Sequence, residues 1–135
     1  MNTQSRRTFL KQTALASAAL TSPAFTSRQE EAVVIGHGSH KYRVVPNWGV
    51  LDAGKNPVND CHEMVQDAKG RIFMLGNETK NNVLIYDRSG KLLSTWGTTY
   101  PGGHGLTIGT EGTEQYLLIC DTDRYQVIKT DLTGK

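Results

Sequence analysis

The feature that most constrains the fold of this chain is an internal repeat in its second half. The first copy begins near His62 and the second near His104, which are 42 residues apart. The glycines that close the two copies, Gly90 and Gly134, are 44 residues apart, and a two-residue insertion near 113–114 accounts for the difference. A period of this size is typical of arrays in which each copy forms one small supersecondary unit.

Each copy has the sequence signals of strands. Short runs rich in Val, Ile, Leu, Tyr and Phe are separated by Asp-x-x-Gly segments at 67–70, 87–90 and 131–134. Asp accepts backbone hydrogen bonds at the start of such a turn, and Gly supplies the positive φ that closes it. The apolar runs 72–75 and 116–119 are expected to be buried on both faces. We predict strands at residues 41–46, 62–66, 71–75, 83–87, 91–96, 104–108, 115–120 and 125–130.

Four strands per repeat predict an all-β chain built from β-propeller blades. The pattern at 65–73 and 83–91 resembles the NHL repeat, and Asp121 with Arg124 resembles its Asn-x-Arg signature. Gly76-Asn77 departs from the family, which usually has Asp there. The resemblance implies a partial β-propeller of the NHL type, six-bladed when complete, with about two four-stranded blades present.

The length of the chain bears on its domain organisation. Six blades require roughly 250–270 residues, whereas the chain has 135. We therefore expect the N-terminal portion of a longer protein. The expected organisation is a signal peptide at 1–24, a linker at 25–40 and an incomplete propeller at 41–135, with blades near 62–96 and 104–135.

The first 24 residues have the layout of an export signal. Arg6 and Arg7 precede Phe-Leu-Lys, an apolar stretch follows at 13–20, and small residues at 22–24 provide a cleavage point. The paired arginines resemble the twin-arginine consensus, which implies the Tat export machinery as a partner and a periplasmic or extracellular location. An Ala-rich amphipathic helix with a basic start is the alternative.

The formal net charge of +2 depends on this segment. Residues 1–24 contain three basic residues and no acid, so the remainder has 12 basic and 13 acidic residues. Its Lys and Arg residues are scattered, so no nucleic-acid partner is expected. No apolar run approaches the ~20 residues of a membrane helix, so no membrane span is expected after signal removal.

A second resemblance concerns the histidines. The segment 104–108, followed by Asp121, resembles the blade that supplies a zinc ligand in peptidyl-α-hydroxyglycine α-amidating lyases. In that family three histidines from different blades hold one zinc in the central channel. The resemblance implies that His62 and His104 are metal ligands with zinc as cofactor. It implies a third histidine and catalytic Tyr and Arg groups as well, none of which has a match in this chain.

Three functions remain open from the sequence. The first is an exported zinc-dependent lyase that cleaves a peptidyl α-hydroxyglycine into a peptide amide and glyoxylate. The second is a non-catalytic propeller that binds a protein, peptide, glycan or small molecule at its channel. The third is a lactonase-like hydrolase that uses a divalent cation. In the second case His62 and His104 only hydrogen-bond to a neighbouring blade.

Other polar candidates have structural interpretations. His37 and His40, in a Gly-rich stretch, are expected in the linker. Cys61 and Cys120 are expected to be free and buried, because Tat substrates fold in the reducing cytoplasm.

The tryptophans and the turn acids are also expected to be structural. Trp48 and Trp96, each followed by Gly, are expected to pack between blades rather than to form a ligand platform. Asp67, Asp87 and Asp131 are expected to be turn residues. Calcium remains possible as a cofactor, although its site needs several converging oxygens that the sequence does not show.

Overall fold

The computed structural model describes residues 33–135, in which every regular element is a strand. The predicted signal peptide, with Arg6 and Arg7, and the first part of the expected linker lie outside these residues. The strands are β1 (Val34–His37), β2 (His40–Arg43), β3 (Glu63–Gln66), β4 (Ile72–Leu75), β5 (Val83–Tyr86), β6 (Leu92–Trp96), β7 (Gly103–Glu111), β8 (Glu114–Asp121) and β9 (Gln126–Asp131).

Strands β1 and β2 form an antiparallel hairpin that belongs to a separate unit ending at Val44. His37 and His40 face each other across the turn at 38–39, where Gly38 has a φ of +58°. Strand β1 was not predicted: it lies within the segment expected to be a linker, residues 25–40. The expected strand at 41–46 corresponds to β2, which begins and ends earlier.

The second unit, residues 45–135, contains two antiparallel sheets. The four-stranded sheet has the order β3-β4-β5-β6, and the three-stranded sheet has the order β7-β8-β9. The all-β prediction is confirmed, and each of the seven strands predicted after residue 60 is present. The second sheet has three strands in the described residues rather than the four expected.

Three Asp-x-x-Gly turns, at 67–71, 87–91 and 131–135, share one hydrogen-bond pattern. In each, Oδ1 of the leading Asp accepts backbone N–H groups two and four residues ahead, at 2.8–3.1 Å. The glycine of each turn has a φ between +80° and +88°, a conformation that costs glycine little. The prediction that these aspartates are turn residues is confirmed.

The main apolar core lies between the two sheets. Phe73 and Leu75 of β4 are fully buried against Leu117 and Ile119 of β8. Burial of large aliphatic and aromatic side chains of this kind stabilises by about 1.5–3 kcal/mol each. The core residues are Phe73, Leu75, Val83, Ile85, Tyr100, Leu106, Leu117 and Ile119.

Both tryptophans have packing roles, and each lies against an Asp-x-x-Gly turn. Trp48 covers the other face of the four-stranded sheet, with its ring centroid 5.6 Å from that of Tyr86, and its Nε1 donates to the Arg88 carbonyl at 3.2 Å. The Trp96 ring lies against Gly134 and meets Tyr100 edge-on at 6.5 Å. Each tryptophan therefore stabilises the Asp-x-x-Gly turn that lies one repeat further along the chain.

The outer face of the three-stranded sheet is not covered by any sheet in residues 33–135. It carries Leu118, Cys120 and Val127, and Val127 is 65% exposed. The prediction that 116–119 is buried on both faces is therefore wrong, because only Leu117 and Ile119 face the core. Residues 72–75 are buried on both faces apart from the half-buried Ile72.

The Asp67 turn carries a partly buried ion pair and gives a prediction about pH. Arg71 Nε donates to Asp67 Oδ2 at 2.7 Å, and the Asp67 side chain is fully buried. Burial works to raise the pKa of Asp67, but the hydrogen bonds from Arg71 and Lys69 and the Arg71 charge together hold it below the usual range. The stabilisation is therefore present above the unfolded-state pKa of about 3.9 and is lost as the pH falls through the folded-state pKa.

We expect Asp67→Asn to lower the free energy of unfolding by about 1–3 kcal/mol at pH 6, because the ion pair is lost while the turn acceptor is kept. Urea unfolding from pH 6 to pH 2 should show the difference from wild type shrinking as Asp67 protonates. Asp87→Asn is the matched control, since Asp87 begins the same turn without a basic side chain bonded to it and should cost less. A difference for Asp67→Asn that does not change with pH would contradict this assignment.

Candidate functional site

The two ends of the sheets differ in their connections. One end is closed by short hairpin turns. The other, which we call the loop end, is formed by residues 59–62, 76–82, 97–104 and 121–126, which lie at or between strand ends. Of the three non-glycine residues with positive φ among residues 33–135, two lie there: Asp60 at +35° and Tyr125 at +53°. Strained conformations and long loops on a rigid sheet are common at functional sites.

His62 and His104 lie together at the loop end. His62 directly precedes β3, and its N–H donates to the Leu75 carbonyl at 3.0 Å. His104 is the extra residue of a β-bulge in β7, between the positions where Gly103 and Gly105 pair with β8. A bulge turns a side chain away from its regular direction. Since β3 and β7 are in contact, the two histidines come from neighbouring strands of different sheets.

The two imidazole rings are stacked. Their centroids are 4.1 Å apart, their planes are inclined by 21°, and both residues are exposed. A metal ion lies close to the plane of each imidazole that binds it, at about 2.0–2.1 Å from nitrogen. Two nearly parallel planes do not converge at that distance, so a shared ion requires at least one ring to rotate.

A polar network holds the loop that precedes His62. Asn59 Nδ2 donates to Asn77 Oδ1 at 2.9 Å, and Asn77 Nδ2 donates to Asp60 Oδ2 at 3.1 Å. Asn77 also donates its backbone N–H to the Asn59 carbonyl at 3.3 Å. In the sequence, Asn77 stands out only as a departure from the NHL pattern. In the structure it ties the His62 loop to the end of β4.

Cys61 and Cys120 are free, as expected, but both are exposed, so the prediction that they are buried is wrong. Cys61 lies in the loop before β3, and Cys120 points to the uncovered face of the three-stranded sheet, against Gly105. Partial burial of the thiol, with a contribution from the Asp60 carboxylate, raises the pKa of Cys61. A raised pKa disfavours the thiolate, which is the nucleophilic form of cysteine.

Two buried polar residues hold the loops of this end through hydrogen bonds to the backbone. Asn82 is fully buried, and Asp121, which is 2% exposed, accepts at Oδ1 from the backbone N–H groups of Gly102, Asp123 and Arg124 at 3.0–3.2 Å. The structural role of Asn82 was not predicted from the sequence. Its position directly before the apolar run of β5 was the available signal.

Two grooves formed by the described residues lie away from the histidine pair. The described part of the chain has a groove of about 510 Å³ lined by Glu111, Tyr116 and Lys129, and one of about 360 Å³ beside Val50 and Lys91. Neither includes a histidine. Among residues 33–135 no group of three or more His, Cys, Asp and Glu side chains is placed to hold a metal ion.

Comparison with known protein families, characterised proteins and solved structures finds no match for this chain. The stretch from 33 to 135 contains no helix with the length and apolar character needed to cross a membrane.

Proposed function

We propose that this chain is part of an exported NHL-type β-propeller in which His62 and His104 supply two ligands of a zinc site, and that the complete protein is an amidating-lyase-like enzyme. The observation that carries the proposal is the proximity of two exposed imidazoles from equivalent positions of the repeat, whose centroids are 4.1 Å apart and of which one must rotate to share an ion. Exposed polar side chains gain little stability from such contact, so their pairing favours a binding role over a purely structural one.

The donor chemistry fits zinc in part. Imidazole nitrogen is a preferred zinc ligand, and catalytic zinc sites use three protein ligands and one open position. The described residues provide two such donors and no third. The proposal therefore requires a further donor outside residues 33–135, and no reaction step is assigned to residues of this chain.

Zinc, when bound, would supply Lewis-acid chemistry at the hydroxyl group of a peptidyl α-hydroxyglycine. The residues of this chain have binding and positioning roles. His62 and His104 hold the site, and the hydrogen bonds among Asn59, Asp60 and Asn77 fix the loop from which His62 projects. The Tat machinery, through Arg6 and Arg7, remains the proposed export partner.

Zinc binding by the two histidines can be measured directly. In a competition titration with a chromophoric chelator at pH 7.5, we expect one weak zinc site, with affinity at least about tenfold lower in His62→Ala and in His104→Ala. His40→Ala is the matched control, because His40 is also exposed but lies in the β1–β2 hairpin. Equal zinc affinity in all four proteins would reject the site.

Catalysis is tested separately on the zinc-loaded complete protein with a peptidyl α-hydroxyglycine. The expected result is release of glyoxylate above the level of a His104→Ala control. The absence of a third donor among the described residues favours a second candidate, a non-catalytic propeller that binds a peptide or small molecule at its channel. Zinc binding without glyoxylate release would support that second function.

A further inference from the structure

The β1–β2 hairpin places two imidazoles on one face of its ribbon. His37 and His40 lie directly opposite each other at the end of the hairpin that carries the turn. Residues opposite each other in an antiparallel pair share a face, and their Cβ atoms are about 4.5–5.5 Å apart. Both histidines are exposed. Two side chains in this arrangement can reach a single ion between them.

The backbone of the turn fixes this arrangement. The loop between the histidines has two residues, and the first of them, Gly38, has a φ of +58°. A tight turn of this length sets the register of the strands that it joins. Gly36 has a φ of +98°, and a Cβ there would collide with the His40 carbonyl oxygen. The two histidines are therefore opposite each other before any ligand binds.

The ring of His40 is held on its Nδ1 side. The Ser39 hydroxyl oxygen lies 3.3 Å from His40 Nδ1. A histidine that binds a metal commonly donates its other ring N–H to a nearby acceptor, which fixes the tautomer and the orientation of the ring. In the tautomer in which Nδ1–H donates to the Ser39 hydroxyl, the lone pair lies on His40 Nε2. That nitrogen is then available to an ion.

The basic side chains of the hairpin lie on its other face. Successive residues of a strand point to opposite faces, so His40 and Tyr42 of β2 share one face, whereas Lys41 and Arg43 point to the other. A cation on the same face as the histidines would repel a metal ion. The face that carries the imidazoles is therefore suited to a metal cation.

We propose that His37 and His40 form a binding site for a divalent copper ion. Imidazole suits copper, and Cu²⁺ binds a given site more tightly than the other divalent ions of the first transition row. Two imidazoles on neighbouring strands can take adjacent positions of the tetragonal geometry that Cu²⁺ prefers. The exposed position leaves the other positions to water or to a small anionic ligand. The proposal is independent of the zinc site, because it depends only on the β1–β2 hairpin.

The choice of metal distinguishes this pair from His62 and His104. Zn²⁺ follows Cu²⁺ in affinity for imidazole, and a zinc site uses at least three protein ligands. Residues 34–43 contain no His, Cys, Asp or Glu besides His37 and His40. The hairpin pair is therefore expected to select Cu²⁺, and His40→Ala remains the control for zinc binding at the loop end.

Paramagnetic line broadening tests the site in the full chain. The unpaired electron of Cu²⁺ broadens the NMR signals of nuclei close to the ion. We expect substoichiometric Cu²⁺ to broaden the amide signals of residues 37–41 first, while those of residues 59–62 and 103–105 stay sharp. Broadening that begins at the loop end, or that is spread evenly over the chain, would overturn the proposal.

Variants measure the contribution of each imidazole. In a Cu²⁺ titration of the full chain with glycine as competing ligand, we expect affinity to fall at least about tenfold in His37→Ala and in His40→Ala. Lys41→Ala is the matched control, since it shortens an exposed side chain on the opposite face of the same hairpin. The amide spectra of the variants check that the hairpin is kept. Equal Cu²⁺ affinity in the wild type and both histidine variants would also reject the site.

Discussion

Gly90→Ala is expected to lower the free energy of unfolding by about 3–5 kcal/mol. Three effects contribute, because alanine disfavours positive φ, the hydrogen bond to Val50 is lost and the packing of Trp48 is displaced. Gly90 has a φ of +87°, and a Cβ there would collide with the carbonyl oxygen of Trp48. Its own carbonyl accepts from Val50 N–H at 2.8 Å. The backbone at 48–50 must therefore move, which uncovers the face of the sheet that Trp48 protects.

Gly70→Ala provides the matched control for this effect. Gly70 occupies the same position in an identical turn, with a φ of +80°. A Cβ at Gly70 would lie 3.2 Å from Cδ of the flexible Arg88 side chain, which can move. We expect a loss of about 1 kcal/mol from backbone strain alone. Urea unfolding followed by tryptophan fluorescence measures both variants, and equal losses would show that contact with Trp48 contributes nothing.

The second large effect is expected at Asn82. Its Nδ2 donates to the carbonyls of Gly76 at 3.1 Å and Tyr100 at 2.8 Å, and its Oδ1 accepts from Tyr100 N–H at 3.1 Å. Asn82→Asp keeps the shape but replaces the donor with an oxygen that faces two carbonyls. We expect a loss of about 3–5 kcal/mol in the free energy of unfolding, since two buried acceptors lose their donor.

The neighbouring Asn81 provides a comparison for Asn82. Asn81 is also buried but donates its side chain to one carbonyl, that of Pro57, at 2.6 Å. Asn81→Asp should therefore cost about half as much as Asn82→Asp. Chemical denaturation of the two variants at pH 7 measures the difference. A loss at Asn81 equal to that at Asn82 would mean that the double contact with the loops at 76 and 100 is unimportant.

The parts of the fold that could be predicted from sequence are those controlled by local chemistry. The Asp-x-x-Gly segments specify their turns through hydrogen bonds within five residues, so the turns at 67–71, 87–91 and 131–135 were predictable. The apolar run of β4 was predictable because both of its faces pack against other residues. The β1–β2 hairpin was missed because its Gly-rich turn was interpreted as a linker, although Gly38-Ser39 is a recognised hairpin signal.

The candidate site was only partly predictable. The repeat placed His62 and His104 at equivalent strand positions, which led to the expectation that they lie near each other. The bulge that turns His104 outward was not predictable, because it depends on how Gly103 and Gly105 pair with β8. Exposure of Cys120 was missed for a related reason. The sequence shows that β8 is apolar but not which of its faces another sheet covers.

The difference between the two ends of the sheets has an evolutionary consequence. The registers of these strands are set by the short turns at one end, whose side-chain chemistry is self-contained. At the opposite end, the exposed positions 79–80 and 98–99 can therefore accept changes without shifting the core, whereas Asn82 and Tyr100 are held by burial and hydrogen bonds. New binding properties can be selected at these positions while the packing between the sheets stays unchanged. The fold separates the part that must stay constant from the part that is free to diversify.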